Sequence, residues 1–189
     1  MSIRIEKRLT TIRLRFDFEK YIKLILAALP QNDLIGIKAI RIVERFSNPK
    51  MPDDALACYS PGRTPRNGVI ELHLPRFVEH RCDEYVFQFH PEIAAYRLSF
   101  TLCHEVGHHV HHAWRHGIKK LKEERFANKY AVAGGFAYLR SRSSEVLSSF
   151  QWAGRNFLIY GRQSRSGWRA DREKMIDWLR KNKEGIKFP

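Results

Sequence analysis

Residues 100–112 read Phe-Thr-Leu-Cys-His-Glu-Val-Gly-His-His-Val-His-His, and within them His104, Glu105 and His108 spell H-E-x-x-H. On a helix, His104 and His108 lie one turn apart, about 6 Å along the axis, so both imidazoles project from one face and can grip one zinc ion. Glu105 falls at the edge of that face, where it can polarise a water on the metal without being a ligand. The flanking residues favour the helix. Pro91 suits a first helical position, Glu92 suits the positive end of the dipole, and Ile93, Tyr96, Phe100, Leu102 and Val106 supply apolar faces. Gly107 opposes it, since a mid-helix glycine costs about 1 kcal/mol against alanine; the expected return is close packing of another element beneath the metal. The competing reading is a chance cluster of histidines on an amphipathic helix.

A catalytic zinc needs a third protein ligand and an open fourth position. The run Glu-Glu-Arg-Phe-Ala-Asn-Lys-Tyr-Ala at 123–131 is a good helix former, and Glu124 is the preferred candidate. Asn128 lies one turn further along the same face, where its amide can orient a ligand, and Ala127 lets two helices approach closely. Taken alone, the same run reads as a surface helix carrying a glutamate pair among lysines.

Together, Phe-Thr-Leu-Cys-His-Glu-Val-Gly-His-x-x-x-His and the later Glu124-x-x-Ala127-Asn128-x-Tyr130-Ala131 resemble the signature of the ImmA/IrrE family of zinc metallopeptidases. The likeness covers about 35 of the 189 residues. It implies a zincin-like fold, His104, His108 and Glu124 as ligands, Glu105 as base, and a cytoplasmic peptidase cleaving a transcriptional repressor. His112 also has a counterpart in the family pattern and is expected to line the cleft. His112 and Tyr130 are the candidates for a second donor to the oxyanion. The chain departs from the family in carrying Phe126 where a second acidic residue is common, and Val-Ala-Gly-Gly-Phe after Ala131.

Two other zinc patterns bear on the third ligand. SprT-type DNA-associated proteases carry a third histidine near a glycine, as in His116-Gly117, but the separation from His108 is short and Glu124-x-x-Ala-Asn goes unexplained. A metzincin site would need glycine at 111 and histidine at 114, where this chain has His111 and Trp114. His109 and His111 read as solvent-facing or internally satisfied histidines.

At 43% hydrophobic, the chain can bury one sizeable core. No apolar run is long enough to span a membrane, and the first residues lack a hydrophobic signal region, so a cytoplasmic location is expected. Cys58, Cys82 and Cys103 are an odd number without a CxxC pair, which argues against a disulfide framework; Cys103 reads as a small buried apolar residue. The net charge is +14 and is unevenly spread. Residues 1–50 carry 11 Lys/Arg against 5 Asp/Glu and residues 151–189 carry 10 against 4, whereas residues 51–100 carry 5 against 7. Basic ends of this kind attract polyanions, so nucleic-acid association, a DNA-binding repressor as protein substrate, and a nucleic-acid-binding module with a non-catalytic zinc site are all in view. The intact Glu105 disfavours the last, because a structural zinc site has no need of it. The sequence is silent on oligomeric state.

The fold class expected is α+β: a small, mostly antiparallel sheet packed on the H-E-x-x-H helix and further C-terminal helices. Residues 11–18 alternate as a strand with arginines outward, and residues 18–29 form a helix capped near Asp17 with Ile22, Ile25, Leu26 and Leu29 inward. A second strand lies within 34–46. Strands at 55–60 and 69–74 form a hairpin around Asn67-Gly68, with Val69, Glu71 and His73 on an open face and an outer edge either covered or free to bind an extended peptide. After an irregular stretch at 75–90, the active helix runs to about residue 114. Further helices are expected to about residue 139, with Gly134-Gly135 a kink or close-packing point, and at 145–157. Residues 1–160 are expected to form the metallopeptidase domain, and residues 161–189 a basic linker with an amphipathic helix that docks or meets a partner.

Overall fold

The computed structural model describes residues 3–12, 16–52, 54–62, 67–78, 90–114 and 120–156, with residues 173, 174, 176, 177, 180, 181 and 188. In chain order the elements are β1 (Arg4–Arg8), α1 (Phe18–Ala27), a 3-10 turn (Gln31–Leu34), β2 (Ile37–Val43), β3 (Ala57–Ser60), β4 (Gly68–His73), α2 (Leu74–Phe77), α3 (Pro91–Trp114), α4 (Lys120–Ser141) and α5 (Ser143–Asn156). The class is α+β, with one four-stranded sheet in the order β1-β2-β4-β3.

The sheet is mixed, which corrects the expectation that it is mostly antiparallel. β1 pairs β2 in parallel, β2 pairs β4 in parallel, and only β3 and β4 run antiparallel. The connections explain the directions. Between β1 and β2 the chain returns through α1, a crossover that makes its two strands parallel. The β3–β4 hairpin then folds back so that β4 inserts beside β2, leaving β3 outermost.

The first strand is also displaced from its expected position. Thr10, Thr11 and Ile12 all aim their backbone N–H groups at one oxygen of Glu44, at 2.9, 2.6 and 2.8 Å. Three consecutive donors converging on one acceptor are incompatible with the alternation of a strand, so the strand ends before them. Residues 13–15 lie outside the described residues. Asp17 caps α1 as expected, accepting from the Lys20 N–H at 3.0 Å, a cap of about 1 kcal/mol.

Ile22, Ile25, Leu26 and Leu29 are all buried, in one cluster with Ile40, Ile42, Ile70 and Leu72 of the sheet and Ile93, Leu98, Leu102 and Val106 of α3. Each such side chain contributes about 1.5–3 kcal/mol. The expected open face of β4 is not open: Glu71 is buried, accepting from the Ser47 N–H and hydroxyl at 2.8 and 2.5 Å. Leu74 begins α2 instead of ending β4, with Pro75 in its first turn.

Helices α3 and α4 form an antiparallel pair joined across a seam of small residues. A methyl group added at Gly107 would meet the Cα of Ala127 at 2.8 Å and the Cβ of Tyr130 at 3.0 Å, so the glycine is there for close approach. Gly134 meets Cys103 and Gly135 meets Phe100 in the same way. Cys103 is fully buried in this seam, and burial pushes its thiol far up. At the N-terminus of α3, Glu92 accepts from the hydroxyls of Tyr21 at 3.1 Å and Tyr138 at 3.4 Å and from Arg142 at 3.2 Å, tying α1, α3 and α4 together. The division at residue 160 and the linker at 161–167 lie outside the described residues. Residues 173, 174, 176, 177, 180 and 181 are helical, and Phe188 packs on the Tyr130 ring at 5.2 Å. Among the described residues, no helix is long and apolar enough to cross a membrane.

Candidate metal centre

The seam between α3 and α4 fixes where their polar faces meet. With Gly107 against Ala127, the next residues around α3 are His104 and His108, and those around α4 are Glu124 and Asn128. The Nε2 atoms of His104 and His108 lie 3.0 Å apart, and Glu124 places its Oε2 3.7 Å from the first and its Oε1 3.6 Å from the second. Ligand atoms at about 2.0–2.2 Å from a tetrahedral ion sit about 3.3–3.6 Å from one another, so the observed separations bracket that spacing. Among the described residues, these three are the group of histidine, cysteine and acidic side chains that could hold a metal ion.

The far side of the His108 ring is engaged, its Nδ1 lying 3.1 Å from Glu123 Oε1, and the Asn128 side chain is hydrogen-bonded to His104. A carboxylate only accepts, so His108 carries its hydrogen on Nδ1 and turns the Nε2 lone pair inward. Burial, and then the neighbouring His108, hold His104 below the ordinary histidine value, so its ring is neutral and able to ligate at neutral pH. The donor set, its spacing and the neutral His104 ring fit a divalent ion with nitrogen and oxygen preferences.

Glu105 meets β3 at the Tyr59 backbone N–H and lies within electrostatic reach of His108 and Glu124. It is 6% exposed, and burial pushes its carboxyl up to about 7, opposed by His108 and by a hydrogen bond from the Tyr59 backbone N–H, and assisted by Glu124. That donor belongs to the outer edge of the sheet. The His73 N–H donates to the Leu56 carbonyl at 2.9 Å, so alternate residues of β3 face β4 and the backbone groups of Ala57 and Tyr59 face outward.

The structure places the remaining candidates in different surroundings. His112 is exposed on α3, its ring 6.3 Å from that of Tyr59. Tyr130 is fully buried, its hydroxyl donating to Asp33 at 2.7 Å on the 3-10 turn. His109 and His111 are both buried: His109 bridges Tyr59 and Ile35, and His111 packs on Phe126 at 5.6 Å. His116 lies outside the described residues. Sequence reasoning missed Glu123 as the partner of His108, although the adjacent glutamate pair was the available signal, and missed Tyr59, for which the sequence carries none. Compared with protein-family models, with curated proteins and with solved structures, the chain matches none.

Proposed function

We propose that this chain is a zinc-dependent endopeptidase of the ImmA/IrrE kind, cytoplasmic and regulatory, hydrolysing a specific protein such as a DNA-binding repressor. The observation that carries the reading is the convergence of the His104 and His108 Nε2 atoms with the Glu124 carboxylate, beside a buried Glu105 that faces a sheet edge. The zincin-like assignment belongs to the same reading.

Bound between these ligands, zinc supplies Lewis acidity to a hydrolytic water and to the scissile carbonyl. Glu123 holds the His108 imidazole with Nε2 forward, and Asn128 hydrogen-bonds the His104 side chain. Glu105 takes the proton of the water on its carboxylate and passes it to the leaving amine. With the Tyr59 N–H given to Glu105, the outward backbone groups of Ala57 remain to pair with an extended substrate backbone. Of the two candidate oxyanion donors, Tyr130 has its hydroxyl committed to Asp33, which leaves the exposed His112.

The test compares protein N-termini in host cells expressing the native chain or Glu105→Gln, with zinc content measured in both purified proteins. The expected result is equal zinc and new N-termini with the native chain alone. Identical cleavage by the variant would remove Glu105 from the mechanism.

A further inference from the structure

His109 follows directly on a ligand yet faces away from the metal, and it is 1% exposed. Its Nε2 lies 2.9 Å from the Ile35 carbonyl and its Nδ1 lies 3.0 Å from the Tyr59 hydroxyl. A carbonyl only accepts, so Nε2 carries the hydrogen; Nδ1 of the neutral ring then accepts, and the Tyr59 hydroxyl donates to it. The Tyr59 and His109 rings meet edge to face at 5.3 Å. Both rest where β4 begins: a Cβ at Gly68 would stand 2.9 Å from the Tyr59 ring and 3.3 Å from His109 Nδ1. The Gly68 N–H donates at 2.9 Å to the carbonyl of Gly36, whose φ of 103° admits glycine. Tyr59 is therefore held at two points, by its hydroxyl on His109 and by its backbone N–H on Glu105.

We propose that His109 is a positioning residue: by accepting the Tyr59 hydroxyl and donating to Ile35, it fixes the rotation of edge strand β3 so that the Tyr59 N–H is aimed at Glu105. This deepens the peptidase reading and rests on it for the role of Glu105. The helix that carries the metal ligands thereby also sets the strand that orients the base. Without the clamp, the outermost strand would keep its ladder to β4 and its packing on α3, but the Tyr59 side chain would lose the hydrogen bond that fixes its rotation.

The experiment is amide hydrogen exchange, read by NMR on the zinc-loaded full chain, in native protein, Tyr59→Phe, His109→Leu and His109→Gln. Tyr59→Phe removes one hydroxyl and leaves the ring packing, which guards against failure to fold. His109→Gln keeps one donor and one acceptor, and is the rescue. The expected result is that exchange at the Tyr59 amide accelerates about tenfold or more in Tyr59→Phe and His109→Leu and is restored toward native in His109→Gln, while the Cys58 amide, which faces β4, is unchanged. Continued protection of Tyr59 in His109→Leu would overturn the proposal. So would equal acceleration at Cys58 and Tyr59, because that reports loss of the whole strand and not of its aim. The amide comparison needs no turnover, so it is decided separately from the peptidase reading, which falls if native chain and Glu105→Gln leave fluorescein-labelled casein and host proteins equally intact.

Discussion

Glu123 and Glu124 are consecutive residues with different tasks, because successive side chains on a helix point about 100° apart. Glu124 approaches the Nε2 atoms of both histidines, while Glu123 accepts from His108 Nδ1. Glu123→Ala removes the orienting partner and leaves the ligands, so metal affinity should fall about 10–100-fold in a chelator competition while Glu124→Ala abolishes tight binding. Unchanged affinity in Glu123→Ala would show that the ring is held by its packing alone. The pairing of His104 with His108 was legible because they share one turn of one helix, where spacing dictates geometry. Glu123 was not, since its direction depends on how α4 is rotated against α3. Tyr59 was least legible of all: it meets His109 across 50 positions, and its contribution to Glu105 is a backbone group, which any residue type carries.

Elements were readable where a periodic face reports burial, as in α1 and α3, and unreadable where a polar contact overrides the pattern. The Thr11–Phe18 alternation is such a case, because the Glu44 carboxylate gathers the N–H groups a strand would need. Those hydrogen bonds, with the Thr10 hydroxyl first among them, draw the Glu44 carboxyl down from 4.5 to about 2. A folded-state value below the unfolded one means the carboxylate stabilises the fold above about pH 4.5 and loses that contribution as pH falls toward 2. Glu44→Gln should flatten that part of an acid-unfolding profile, with no change in slope at neutral pH. Sheet direction was hidden for another reason: hydrophobic pattern says which residues are inside, not which strand inserts between which. The Gly107 expectation was legible and is specific enough to test. Gly107→Ala gains about 1 kcal/mol of helix propensity but overpacks a seam, which typically costs about 1–3 kcal/mol. The obstructing atom is the Ala127 Cα at 2.8 Å, backbone that has no rotamer to yield, so a net loss is expected as a lower urea midpoint. An unchanged or higher midpoint would mean that the two helices separate easily.

Across the whole molecule, the candidate ligands come from two helices whose packing is central to the core, so metal occupancy should be linked to global stability. Zinc at 100 times its dissociation constant should stabilise the native chain by about 2.7 kcal/mol, seen as a raised thermal midpoint that His104→Ala does not share. A midpoint indifferent to zinc in the native chain would argue against the site. The basic surplus of +14 lies mostly at the two ends, while residues 51–100, leading into the H-E-x-x-H motif, carry 5 Lys/Arg against 7 Asp/Glu. Here the adjacent glutamates have a further consequence. The two carboxylates on α4, one near both Nε2 atoms and one on His108 Nδ1, would together balance the charge of a divalent ion held between the helices. Glu105 would then face a centre close to electroneutral. Its proton affinity would stay under the control of the buried pocket that surrounds it, so that a Lewis acid and a base could work side by side.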